Sequence, residues 1–271
     1  MTPEIFEQLQ GWFDGYAGSY LTENQDHNQA IRLKREHTGR VVENIRMLAG
    51  ALGLNDADRR LAETMALFHD IGRFEQYAVY GTFSDGASEN HALLGLRQMA
   101  RHNLLAGCAR AEKRLIARAI AFHNAAELPA DEPQRPLFFM KLLRDADKLD
   151  IWKVVNDYYQ RADTGRNTTH ELGLPDDPAC STAVLAALNR REIVRMQTVR
   201  TLNDLKLLQI SWVFDLNFTA SFKLLRRRHY LRMIEAVLPR TPEIGAAVEN
   251  ARRHMDTAVN GPDADAKGYR S

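Results

Sequence analysis

Leu61-Ala62-Glu63-Thr64-Met65-Ala66-Leu67-Phe68-His69-Asp70-Ile71-Gly72-Arg73 is the stretch on which the reading of this chain turns. Its apolar residues recur at helical spacing, and a His-Asp pair closes the run, so titratable groups are carried into what should be a helical core. The dipeptide alone means little. With 9 His in 271 residues, roughly 0.6 such pairs arise by chance, and any specificity must come from its surroundings.

Outward from this stretch, apolar residues recur at three and four almost throughout, and strand-like alternation is scarce, which predicts an all-α protein. Helices are expected from Pro3 to Leu21, Asn28 to Leu52, Asp56 to Tyr77, Asn90 to Leu105, Arg110 to Asn124, Pro136 to Arg161, Ser181 to Val194, Leu202 to Leu238 and Pro242 to Val259. Asn55-Asp56 and Thr241-Pro242-Glu243 supply start signals. Pro129, Pro133, Pro136, Pro175, Pro178 and Pro239 punctuate the chain. The reading divides it into a helical domain at 1–163, a C-terminal helical extension at 164–260 packed on it, and a polar, flexible tail at 261–271. Gly81 to Ser88 interrupts the helical pattern just after the His-Asp pair and reads either as a lid or as an ordinary connector.

Composition bounds the function. A hydrophobic content of 45% in 271 residues supplies a sizeable core. The net charge of +1 argues against a passive polyanion binder. That balance conceals an excess of basic residues between Leu188 and Arg240, including Arg226-Arg227-Arg228-His229 and Arg232. This run reads as a solvated outer face, so nucleic acid is not an expected partner. Trp212, Phe214, Phe218 and Phe222 read as core. Two cysteines, Cys108 and Cys180, are too few for a disulfide framework or a thiolate zinc site. The beginning MTPEIFEQLQ lacks a basic segment followed by an apolar one, and no run of about 18 apolar residues occurs, so the expectation is a cytoplasmic protein without a membrane partner.

Four histidines and an aspartate share one pattern. His37 leads the stripe Val41, Ile45, Leu48 and Leu52; His69 follows Leu61 and Met65; His91 precedes Leu94 and Met99; His123 follows Ile116 and Ile120. Each is expected to face inward. Buried imidazoles brought together repel one another if protonated, and a metal ion resolves that cost. An aspartate following a histidine can bridge two ions. His27, His102, His170, His229 and His254 lack this pattern and read as surface or structural residues. A further aspartate is available in Arg144-Asp145-Ala146-Asp147-Lys148-Leu149-Asp150. Asp147 and Asp145 each continue an apolar stripe, so periodicity does not choose between them, although Asp147 and Asp150 could share a face.

The order His37, His69-Asp70 and the ADKLD segment around Asp147 resembles the HD-domain superfamily of metal-dependent phosphohydrolases. The likeness spans about Ile31 to Tyr159. It selects Asp147, and it makes His91 and His123 resemble the two histidines inserted in the binuclear branch. There is no GYP signature after the His-Asp pair, and Arg73 stands where many relatives have lysine. The resemblance implies an HD-type helical bundle. It also implies a first metal on His37, His69, Asp70 and Asp147, with Asp70 bridging to a second on His91 and His123. A donor set of nitrogen and hard oxygen favours Fe or Mn, with Co, Ni, Mg or Zn as alternatives.

The expected reaction is hydrolysis of a phosphomonoester or phosphodiester of a small nucleotide-like molecule through a metal-bridging hydroxide. Asp70, Arg73 and Lys148 are the expected catalytic groups, with Arg40, Arg73 and Lys148 meeting the substrate. A diiron oxygenase using the same ligands, and a non-catalytic binding module, are the alternatives. Substrate and oligomeric state stay open.

Overall fold

The computed structural model describes residues 1–160 and 171–261. The expected boundary at 163–164, the tail beyond 261 and His170 lie outside the described residues. Among those described, every regular element is helical. No described helix is long and apolar enough to cross a membrane. The chain separates into two compact units, one running to Asp150 and the other beginning at Ile151.

The first unit holds α1 (Pro3–Gly18), α2 (Gln25–Ala51), α3 (Asp56–Phe68), α4 (Gly72–Tyr80), α5 (His91–Arg101), α6 (Arg110–Phe122) and the first part of α7 (Gln134–Gln160). Side chains start several of them: Asn24 accepts from the His27 amide, Asn55 from Asp58 and Asn90 from Leu93. Each bond satisfies an amide that the helix itself leaves without a partner. Helix α3 packs on α1, α2 and α6, and α5 packs on α4 and α6. Between them lie Ile31, Ile45, Leu48, Met65, Phe68, Phe74, Ile116, Ile120 and Phe139, all buried. Asn44 ties α2 to α7 by donating to the Ala146 carbonyl at 3.0 Å.

The expected helix from Asp56 to Tyr77 is two helices, because the ladder breaks at the His-Asp pair. Ile71 N donates to Phe68 O and Arg73 N to Asp70 O, bonds of three-residue span that tighten the turn. Helix α4 then begins at Gly72, where α4 and α5 meet backbone to backbone. A Cβ built at Gly72 would strike the His91 carbonyl oxygen and lie 2.5 Å from Gly95 N. At Gly95 a Cβ would lie 3.1 Å from Ile71 Cγ2.

The second unit contains the remainder of α7, then α8 (Thr182–Asn189), α9 (Leu202–Ser211), α10 (Thr219–Arg227), α11 (Tyr230–Glu235) and α12 (Pro242–Asn260). Trp152 is buried here and donates to the Gln209 carbonyl at 2.9 Å. The single helix expected from Leu202 to Leu238 is broken twice. Residues Trp212–Asp215 tighten into a 3-10 turn, Leu216 and Phe218 are extended, and His229 takes a φ of 57°. Asn217 donates locally to Asp215 O, a bond that competes with a helical ladder. The aromatic periodicity persists through these breaks: Phe218 and Phe222 are buried, and Phe214 and Phe222 meet His254 edge-on.

Because the obstruction at Gly72 is backbone, Gly72→Ala is expected to lower the unfolding free energy by about 2–4 kcal/mol. Gly95→Ala, whose Cβ would meet Ile71 Cγ2 at 3.1 Å and Gly72 N at 3.2 Å, longer distances than those at Gly72, should cost distinctly less. Denaturant unfolding of the two variants checks the order, and equal small losses would contradict the contact.

Candidate metal centre

Helices α2, α5 and α7 and the residues that follow α3 and α6 deliver six side chains to one place in the first unit. His37, His69, Asp70, His91 and His123 are buried, and Asp147 is partly so. His69 and His123 occupy equivalent positions. Each directly follows the last residue of its helix, and each Nδ1 lies 2.7 Å from the carbonyl three residues back, Ala66 O and Ile120 O respectively. A helix end leaves its last carbonyls short of the usual amide donors, and the imidazole supplies one here. Arg144, buried on α7, also donates to the carbonyls of Phe122, His123 and Ala125, which holds the His123 turn in place.

His37 and His91 are oriented by carboxylates. His37 Nδ1 is 2.7 Å from Asp150 Oδ2, and His91 Nδ1 is 2.7 Å from Asp85 Oδ2. Carbonyls and carboxylates only accept, so all four Nδ1 atoms carry hydrogen and all four Nε2 atoms point inward. The inward atoms are close: His37 Nε2 to His69 Nε2 is 3.3 Å, and His91 Nε2 to His123 Nε2 is 3.0 Å.

Asp70 faces both pairs. Its Oδ2 lies 3.5 Å from His37 Nε2 and 3.8 Å from His69 Nε2. Its Oδ1 lies 3.3 Å from His91 Nε2 and 3.8 Å from His123 Nε2. Asp147 Oδ1 is 3.2 Å from His37 Nε2 and 3.7 Å from His69 Nε2, buried and without a hydrogen bond. Among the described residues, three overlapping groups could hold a metal ion: His37-His69-Asp70, His69-His123-Asp147 and Asp70-His91-His123.

The two sides differ in protonation. Burial pushes the His91 imidazole down to about 4, against the opposing pull of Asp85, so at neutral pH it is uncharged, the form in which an imidazole can ligate a metal. Burial also disfavours charge on His37, yet Asp147 and Asp150 on either side carry it up to about 9. Burial opposes charge on Asp70 and Asp147 as well. Lys34 and His69 outweigh it at Asp70, and His37 and His69 at Asp147, so both carboxyls stay well below the usual range. A proton can therefore fill the gap at His37, whereas His91, on the other side, is held neutral with its Nε2 3.0 Å from that of His123. Imidazole nitrogens and carboxylate oxygens converging in this way are a donor set that fits divalent cations once the proton at His37 is displaced.

Of the expected substrate-facing cations, Arg40 binds Asp150 through Nε at 2.6 Å. Arg73 reaches toward Asp70 with Nε at 3.5 Å, while its terminal nitrogen donates to Gln76, Asp85 and the Phe83 carbonyl. Lys148 is half-buried beside Asp147. The segment Gly81 to Ser88 is fastened by these bonds and by Gln76 Nε2 donating to Asp85 and Ser88.

Asp85 and Lys34 were not singled out from sequence. Lys34 Nζ is 2.8 Å from Asp70 Oδ2, and no periodic signal marks either residue. Asp150 was discernible as the residue sharing a face with Asp147.

Residues 35–152 match the family model described as HD domain. No curated protein and no solved structure matches the chain.

Removing an orienting carboxylate should loosen the imidazole it holds, so Asp85→Ala and Asp150→Ala are each expected to weaken metal binding by about ten- to hundredfold, read by calorimetric titration. Unchanged affinity in both would contradict the geometry. The raised value at His37 stabilises the metal-free fold fully below its ordinary 6.5, and that contribution is lost as pH rises through about 9. A metal must displace the same proton. Apparent metal affinity should therefore climb by about tenfold per pH unit up to about 9 and then level off, and a flat profile across this range would count against it.

Proposed function

Residues 35–152 are an HD domain, the mark of a superfamily of metal-dependent hydrolases, and from that premise we propose that this chain is a binuclear phosphohydrolase acting on a small phosphate ester. One observation carries the reading: Asp70 turns its two carboxylate oxygens toward two different histidine pairs. A carboxylate so placed is the shape of a bridge. His37, His69 and Asp147 would hold one ion with Asp70 Oδ2, and His91 and His123 the other with Asp70 Oδ1. Iron or manganese suits the nitrogen and hard-oxygen donors. When bound, such ions supply positive charge for phosphoryl oxygens and acidify water.

The chain's own residues have a positioning task. Phosphoryl transfer asks little covalent chemistry of side chains and much of charge placement. Asp85 and Asp150 keep two imidazoles in the tautomer that presents Nε2 to the centre, and the carbonyls of Ala66 and Ile120 do so for the other two. Arg73 holds the loop that carries Asp85. Lys34 and Arg73 flank Asp70 at 2.8 and 3.5 Å, so two cations stand beside the carboxylate that would bridge the ions. The substrate is expected to be nucleotide-like and the setting cytoplasmic.

Protein reconstituted with Mn or Fe is expected to release phosphate from a panel of phosphomonoesters or to cleave phosphodiesters. His69→Ala and Asp70→Ala should each lower the rate by about a thousandfold or more. Full activity in both variants would overturn the assignment. Oxygen consumption by the ferrous protein with a polyol or phosphonate, without hydrolysis, would replace it with an oxygenase.

A further inference from the structure

Lys34 sits one turn ahead of His37 on α2 and reaches the carboxylate that both halves of the centre share, with Nζ 2.8 Å from Asp70 Oδ2. Its ammonium also lies 5.2 Å from the centroid of the Phe83 ring, a distance at which an aromatic face attracts a cation. Phe83 is itself held against Tyr77, with ring centroids 4.7 Å apart. The Lys34 side chain is 18% exposed, enough to meet a solute. Arg40, Arg73 and Arg144 spend guanidinium hydrogens on Asp150, on the 81–88 loop and on the end of α6.

The oxygen that Lys34 holds belongs to the His37-His69-Asp70 group that could take a metal ion. A divalent cation and an ammonium crowded on one partly buried carboxylate oxygen repel each other strongly. We infer that Lys34 is the anion-recognition residue of this centre, paired with Asp70 until a divalent ion takes Oδ2 and then turned, on the face of Phe83, to an anionic oxygen of the substrate. The inference deepens the phosphohydrolase reading and rests on it for the kind of anion. No proton needs to move, because the ammonium exchanges a carboxylate partner for a phosphate oxygen. An order of events follows: before metal loading Asp70 neutralises Lys34, and afterwards the ammonium is available.

Calorimetric titration of Mn-loaded protein with inorganic phosphate tests this, beside a titration of metal into the metal-free protein. Lys34→Met is expected to bind Mn at least as tightly as wild type, because a competitor for Asp70 is gone, and to bind phosphate about ten- to hundredfold more weakly. Lys34→Arg should recover most of the phosphate affinity. Undiminished phosphate binding in Lys34→Met, no phosphate binding by loaded wild type, or loss of Mn from Lys34→Met would each overturn the inference. Phosphate release from esters is scored separately on wild type. Lysine-dependent phosphate binding without ester hydrolysis would uphold Lys34 as the anion receptor and refute the hydrolase.

Discussion

Four imidazoles whose outer nitrogens are all occupied must turn their inner nitrogens toward one another, and this constraint organises the first unit. The Nε2 atoms of His91 and His123 lie 3.0 Å apart, with the Nδ1 of each already placed on Asp85 and on the Ile120 carbonyl. Buried polar groups left unsatisfied cost about 1–3 kcal/mol each. A bound structural metal is worth on the order of 10 kcal/mol, so an ion held here would more than offset the cost of gathering such groups. The same comparison disfavours reading the cluster as ordinary core histidines, since a core histidine ends with both nitrogens satisfied.

Local structure is bent to meet that constraint. Adjacent residues of a regular helix diverge by about 100°, yet His69 and Asp70 both face the centre. Here α3 ends at Phe68, the ladder tightens to three-residue bonds, and α4 begins at Gly72. The restart works only because Gly72 and Gly95 have no side chains, so the beginning of α4 can lie against the first turn of α5. That close approach brings His91 to Asp70. A break in the helical ladder, a glycine contact and a ligand position are thus one feature, and a change in any of them should propagate to the others.

These differences separate what the sequence made legible from what it did not. His37, His69, His91 and His123 stood out because each continues an apolar stripe, and a stripe is local information. The all-α architecture followed from the same period. Asp147 was separable from Asp145 only by resemblance to a family, since both continue stripes, and the structure puts Asp147 beside His37 and His69. Asp85 lies in an irregular segment where no period operates, and its partner His91 is brought to it by a turn. Lys34 looks like any solvated helix lysine until α2 is packed against the residues after α3. The break at Leu216 to Phe218 was invisible for the opposite reason: the aromatic spacing continues across it, so the pattern looked unbroken while the backbone was not.

The segment between α4 and α5, which composition leaves open as lid or connector, is held by specific contacts. Its glycines and serines are what a mobile cover would contain. Three of its groups nevertheless serve the centre. Asp85 orients His91, the Phe83 carbonyl and the Asp85 carboxylate anchor Arg73, and the Phe83 ring lies beside the Lys34 ammonium. The segment thus sets the tautomer of His91 and supports a cation beside Asp70, so displacing it would disturb both. Its short residues allow tight turns, as at Gly81 with φ of 65°. These turns place Asp85 against His91 and the Phe83 ring beside the Lys34 ammonium.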